Sequence, residues 1–115
     1  MIGIIGQGFV GNAVFQKFKN FYKVNTYDLN SSLANSSYEE TIQNDVIFLC
    51  LPTPMNMDGS CNTDIIENEI RSIDSDQKTL IVKSTVIPGT VEKWNSTYKS
   101  KIVFNPEFLT ERNAV

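Results

Sequence analysis

The densest chemical signal in the chain is a run of three glycines near its start. Gly6-Gln7-Gly8-Phe9-Val10-Gly11 has the spacing G-x-G-x-x-G. It falls between an apolar run at residues 1–5 and a stretch in which Val10, Val14 and Phe18 recur at helical spacing, with Phe15 beside them. In that context each glycine meets a separate need. Gly6 allows a tight turn, Gly8 lets the backbone approach a pyrophosphate closely, and Gly11 lets the helix pack closely on the sheet. The helix N-terminus adds free N–H groups and the positive end of its dipole, both suited to phosphate. Asp28 closes the second predicted strand, 20 residues after Gly8. A carboxylate at that distance accepts hydrogen bonds from the ribose hydroxyls of an adenosine and repels a 2′-phosphate, so the pair of features predicts NAD rather than NADP.

Three later segments follow predicted strands and so fall where open α/β sheets bind ligands. Leu51-Pro52-Thr53-Pro54 is a loop stiffened by two prolines around a hydroxyl. Lys83-Ser84-Thr85-Val86-Ile87-Pro88-Gly89-Thr90 brings Ser84 and Thr85 to a strand end, where their hydroxyls can hold a nicotinamide or an ordered water, or cap a helix. Asn105-Pro106-Glu107-Phe108-Leu109-Thr110-Glu111 places Glu107 and Glu111 four residues apart, on one face of a helix if one forms.

The elements that must position these residues alternate along the chain. Strands are predicted at residues 1–5, 23–28, 46–51, 79–83 and 101–104. The run at 46–51 is apolar throughout, as a strand covered on both faces should be. Between them Ser37 with Glu40 has capping-box spacing, and Asp64 with Glu67 repeats it before Ile66, Ile70 and Ile73 on one helical face. Pro88 suits the first turn of a helix carrying Val91 and Trp94, while residues 30–37, rich in Ser and Asn, read as loop. The prediction is an α/β fold: a single Rossmann-type domain over residues 1–115, with a mostly parallel sheet and helices on both faces.

Composition sets the outer limits. At 115 residues, with 41% hydrophobic and 20% charged, the chain matches one globular domain. Histidine is absent, which excludes Ser-His-Asp and Cys-His catalysis and histidine-bearing zinc sites, and no metal is called for. Two cysteines make no disulfide scaffold and suggest a reducing compartment. A formal charge of −3 argues against a nucleic-acid partner. No apolar run approaches the roughly 20 residues that span a bilayer, and residues 1–6 lack the basic start of a signal peptide. The expected location is cytoplasmic, with no membrane partner.

Taken in order, residues 6–11, Leu51-Pro52-Thr53-Pro54 followed by Asp58-Gly59-Ser60, residues 83–90 and residues 105–111 resemble the NAD-binding N-terminal domain of the UDP-glucose/GDP-mannose dehydrogenase family. The resemblance implies a nucleotide-sugar 6-dehydrogenase, which oxidises a sugar C6 alcohol to a carboxylate with two NAD, through a thioester on a cysteine. It further implies that Thr53 and the backbone of Gly8, Phe9, Val10 and Gly11 hold the dinucleotide, alongside Gly6, Asp28, Leu51 and Ser84. Thr85 would position water or nicotinamide, and Glu111 would contact the nicotinamide half. Glu107 would be the base for thioester hydrolysis, with Phe108, Leu109 and Thr110 along the sugar nucleotide. The nucleophilic cysteine of that chemistry belongs to domains outside these residues, so the chain by itself is expected to be inactive and to share its nucleotide-sugar substrate with a missing domain; an oligomer is possible.

Departures from the family pattern carry expectations of their own. The segment between Asp28 and Asp45 is short, which predicts that the third strand is reduced or missing. Leu33 falls where a basic residue is usual. Cys50 reads as core, and Cys61 as an inert surface thiol with no cation beside it. The competing function is a stand-alone, non-catalytic dinucleotide-binding module.

Overall fold

The computed structural model describes residues 2–53, 56–59, 62–84, 86 and 89–105, with Phe9 described by its backbone alone. Five strands alternate with four helices: β1 (Ile2–Ile5), α1 (Phe9–Phe18), β2 (Val24–Tyr27), α2 (Tyr38–Ile42), β3 (Val46–Leu49), α3 (Asp64–Ile73), β4 (Thr79–Val82), α4 (Thr90–Thr97) and β5 (Lys101–Phe104). All strand pairs are parallel, in the order β2-β1-β3-β4-β5. This is the predicted Rossmann-type α/β architecture.

Register decides where function can sit. Tyr27, Ile5, Leu49, Val82 and Phe104 are partners across the sheet, so the five strands end in one row. Gly6, Asp28, Cys50, Lys83 and Asn105 come next in sequence, so every segment with chemical potential leaves the sheet at the same edge. The chain runs from β1 outward to β2, then returns past β1 to β3, β4 and β5. That reversal opens a crevice beyond the ends of β1 and β3.

Alternation along the strands divides the core in two. Ile2, Ile4, Val24 and Phe48 pack with Val14 of α1 on one face. Ile5, Ile47, Leu49, Leu80, Val82 and Ile102 pack on the other with Ile66, Ile70 and Ile73 of α3 and Trp94 of α4, while Tyr38 and Ile42 of α2 close the margin. Helices therefore cover both faces, and the isoleucine stripe of α3 is buried as its spacing predicts.

No further strand forms between β2 and β3, as the shortness of that segment predicts. Between β2 and β3 the chain makes one turn of 3-10 helix at Ser31–Leu33 and the short α2, leaving β2 at the sheet edge. Asparagine substitutes for the absent neighbour. Asn35 Oδ1 accepts from the Thr26 N–H at 2.9 Å, Asn35 Nδ2 donates to the Val24 carbonyl at 3.1 Å, and the Ser36 N–H donates to the Thr26 carbonyl at 3.1 Å. The opposite edge uses the same device: Asn95 of α4 accepts from the Ile102 N–H at 2.8 Å and donates to its carbonyl at 2.7 Å. Satisfying these groups keeps an exposed strand from pairing with another chain. Asn95→Ala is expected to lower the free energy of unfolding by about 1–3 kcal/mol, the cost of stranding two backbone groups, with the urea m-value unchanged. Urea denaturation followed by circular dichroism measures this, and a loss near zero would mean that water replaces Asn95 without penalty.

Three local expectations change. The capping box forms at α2, where Ser37 Oγ accepts from the Glu40 N–H and Glu40 Oε1 accepts from the Ser37 N–H, both at 3.1 Å. It does not form at α3. Asp64 is already inside that helix, Thr63 is the N-cap without a side-chain bond, and the Asp64 N–H donates to Asn62 Oδ1 at 2.9 Å. Helix α4 opens at Thr90, with Gly89 at φ of 91° as its N-cap, so its first turn begins beyond Pro88, itself outside the described residues. Strand β3 stops at Leu49, which leaves Cys50 past the strand end, half-buried and packed against the core cluster of Ile4, Val14 and Phe48.

Candidate cofactor-binding site

A cavity of about 460 Å³ occupies the crevice that the topology creates. Its lining comes from the ends of three strands: Ile5, Gly6, Gly8 and Val10 after β1, Tyr27, Asp28 and Leu29 after β2, and Cys50, Leu51 and Pro52 after β3. Of the residues singled out in the sequence, the structure thus brings together Gly6, Gly8, Val10, Asp28 and Leu51.

The glycine loop is built as its spacing requires. Gly6 has φ of 98°, and a Cβ there would lie 2.4 Å from the Cys50 carbonyl oxygen, so both conformation and space demand glycine. A Cβ on Gly11 would lie 1.8 Å from the Gly6 carbonyl oxygen, because the first turn of α1 packs directly on the loop. Gly8 is different: a Cβ there would meet nothing within 4 Å. Its bareness serves no packing need, and what it leaves open is the approach to α1. That helix has no side-chain cap, so the N–H groups of its first turn, with Phe9 and Val10 among them, remain available to an anion.

Asp28 is fixed across the mouth of this loop. Its Oδ2 accepts from the Gln7 N–H at 2.7 Å and its Oδ1 from the Asn30 N–H at 2.8 Å. Each carboxylate oxygen retains a lone pair for a further donor. The carboxylate thus does two things, tying β2 to the glycine loop and presenting acceptors to the cavity. Leu29, 93% exposed, with Tyr27, Leu51 and Pro52, adds apolar surface suited to the face of a flat ring. An uncapped helix start, an open glycine and an oriented carboxylate beside an apolar shelf together fit the pyrophosphate, ribose and adenine of a dinucleotide.

The remaining sites are placed unevenly. Ser84 Oγ donates to the Leu51 carbonyl, tying the loop after β4 to the loop after β3. Thr53 is half-buried two residues past Leu51 and is not among the cavity-lining residues. Lys83, buried at the end of β4, brings its Nζ within 3.5 Å of Asn105 Oδ1, so the segments beginning at 83 and 105 meet. Thr85, Glu107, Phe108, Leu109, Thr110 and Glu111 lie outside the described residues, as does Cys61. Leu33 stands half-exposed in the 3-10 turn. No group of three metal-ligating side chains occurs among the described residues, and no described helix is long and apolar enough to cross a membrane.

Sequence reasoning missed Ile5, Tyr27, Leu29, Cys50 and Pro52 as lining residues. Leu29 and Pro52 carried a usable signal, since they directly adjoin Asp28 and Leu51. Cys50 was hidden by its apolar neighbours, which made the strand read two residues too long.

The comparisons with known proteins agree with this geometry. The profile of the UDP-glucose/GDP-mannose dehydrogenase family, NAD binding domain, matches residues 16–115. YtcA of Bacillus subtilis, provisionally named a UDP-glucose 6-dehydrogenase, is 40% identical over 96 residues, covering 74% of this chain and 22% of that protein. GDP-mannose 6-dehydrogenase of Pseudomonas aeruginosa is 34% identical over 91 residues, covering 64% of this chain and 21% of its own length. The chain therefore spans about a fifth of these relatives. In fold it is similar to a UDP-glucose dehydrogenase from Pyrobaculum islandicum, with a TM-score of 0.76 at 24% identity over 98% of this chain and 37% of that one. The family match begins after the glycine loop, so loop geometry and family profile are separate observations with one meaning. The chain belongs to the UDP-glucose/GDP-mannose dehydrogenase family and corresponds to its NAD-binding domain.

Proposed function

We propose that the chain is the cofactor-holding part of a nucleotide-sugar 6-dehydrogenase, working with a catalytic domain outside these 115 residues. The observation that carries this reading is the pairing of Asp28 with an open Gly8 across the crevice, in a chain whose family profile is that of such dehydrogenases. Oxidising a C6 alcohol to a carboxylate removes four electrons, which bound NAD supplies the capacity to accept as two hydrides in two rounds.

The residues of this chain then have binding and positioning roles. The backbone of residues 8–11 neutralises the pyrophosphate, and Asp28 holds the adenosine ribose. Ser84, anchored on Leu51, fixes the loop that carries Thr85. Thr85 positions water or the nicotinamide, and Glu111 contacts the nicotinamide half. Phe108, Leu109 and Thr110 run along the sugar nucleotide. Glu107 takes a proton from the water that hydrolyses a thioester formed on a cysteine of the other domain. In this reading the chain alone binds NAD and oxidises nothing.

In a complete enzyme, Glu107→Gln is expected to lower kcat about 100- to 10,000-fold, the usual worth of a positioned base, while the dissociation constant for NAD stays within about twofold. Rapid-quench analysis should find acyl-enzyme accumulating. Turnover at the wild-type rate removes Glu107 from the mechanism.

A further inference from the structure

Behind the cofactor cavity lies a carboxyl group for which the cofactor chemistry has no use. Tyr27 lines the cavity and packs edge-on against Tyr38 of α2, with ring centroids 5.3 Å apart at 74°. The Tyr38 phenol faces Glu69 in the middle of α3. Glu69 Oε1 is fully buried and has no hydrogen-bond partner among the described residues. A continuous run of contacts thus leads from the cofactor cavity to a half-buried acid with one oxygen shut away from water.

The surroundings of Glu69 do not compensate its charge. From α2 it is met by the Tyr38 hydroxyl, and Tyr38 is itself faced by Tyr27 of β2 and by the negative charge of Glu39. Along α3, Arg71 pairs with Glu67 at 3.6 Å, and from α4 the Tyr98 hydroxyl donates to Glu67 at 2.8 Å. Lys78 spends its ammonium on the carbonyls of Ile42 and Asn44. Burial pushes the Glu69 carboxyl above the ordinary glutamate range, and the Tyr38 hydroxyl offsets this in part. Burial, then Glu69 itself, raises the Tyr38 phenol as well.

We propose that Glu69 is a proton-controlled support for the cofactor cavity, so that dinucleotide affinity depends on whether this one carboxyl is neutral or charged. Neutral, it stays packed behind Tyr38, and Tyr38 holds Tyr27 in the cavity wall. Charged, it has no described cation to meet and turns toward water, which loosens Tyr38 and then Tyr27. The sign follows from proton linkage. The folded state binds this proton more tightly than the unfolded chain, so its contribution is complete below the ordinary glutamate range and is lost as pH rises through the raised value. Cofactor affinity falls in the same direction.

The inference rests on the NAD-binding reading, and one titration series separates the two. NAD is titrated calorimetrically into the chain and into Glu69→Gln at intervals from pH 4 to pH 8, with thermal unfolding of the cofactor-free proteins at each pH. The expected result is that wild-type affinity falls several-fold as pH rises, while Glu69→Gln keeps the tighter value throughout and is the more stable protein at the upper end. Groups common to both proteins cancel in that comparison. Tyr38→Phe, which keeps the ring but removes the hydroxyl, should shift the wild-type pH profile without abolishing NAD binding. Parallel pH profiles for wild type and Glu69→Gln overturn the proposal and leave NAD binding intact. No NAD binding at any pH overturns both.

Discussion

Gly8→Ala is expected to leave the fold intact and to weaken NAD binding about 100-fold or more, since a methyl group at this position stands where the pyrophosphate must approach the backbone. The structure separates this outcome from a folding defect. A Cβ at Gly8 meets no atom within 4 Å, and the residue is extended, with φ of −73° and ψ of −154°, outside the left-handed region that favours glycine. As an N-cap alanine is poorer than glycine, but by only about 1 kcal/mol or less. Gly11→Ala makes the contrast. Its Cβ would fall 1.8 Å from the Gly6 carbonyl oxygen, a backbone atom that cannot yield without moving α1 off the sheet. A loss of about 3 kcal/mol or more is expected there, with NAD binding lost as a consequence. Two glycines of one motif should therefore fail in different ways, which urea unfolding and calorimetry on the two variants would show.

Asp28→Ala should raise the dissociation constant for NAD about 10- to 100-fold, the worth of charge-assisted hydrogen bonds of about 1.5–3 kcal/mol. It should also erase the preference for NAD over NADP, because the charge that opposes a 2′-phosphate is gone. Part of the loss comes through the loop. Asp28 holds the Gln7 and Asn30 N–H groups at 2.7 and 2.8 Å, so the alanine variant frees both the glycine turn and the start of the segment that seals the sheet edge. Asp28→Asn, which keeps acceptor capacity on one oxygen, should retain more of the stability than of the nucleotide selectivity. Competitive titration with NAD and NADP reads the two effects apart. An unchanged NAD/NADP ratio in Asp28→Ala would remove this carboxylate from cofactor choice.

The glycine loop and its acid were legible because their requirements are local: a positive φ at Gly6, a contact between residues five apart, and a fixed span to the end of the next strand. The strands were legible for a similar reason, since short apolar runs between turn residues admit little else. Errors arose where local preference met a competitor. Asp64 and Glu67 have the spacing of a capping box, but Asn62 already engages the Asp64 N–H, and the helix begins one residue earlier than that box would require. Cys50 is apolar by composition and lining by position, and only the end of the β3 ladder distinguishes the two. The paired use of Asn35 and Asn95 at opposite edges could not be read at all, because an asparagine that seals a strand is identical in sequence to one that faces water. The contact of Tyr38 with Tyr27 and Glu69 belongs to the same class, joining three elements that only the tertiary fold brings together.

What fills the crevice beyond β1 and β3 decides whether this domain holds a dinucleotide. Calorimetric titration of NAD into the wild-type chain and into Gly8→Ala, with unfolding curves for both, addresses it in one experiment. Saturable binding to the wild type, and a loss of about 100-fold in a variant of matching stability, is the predicted result. Equal affinity in the two proteins, or no binding to the wild type at millimolar NAD, would contradict it.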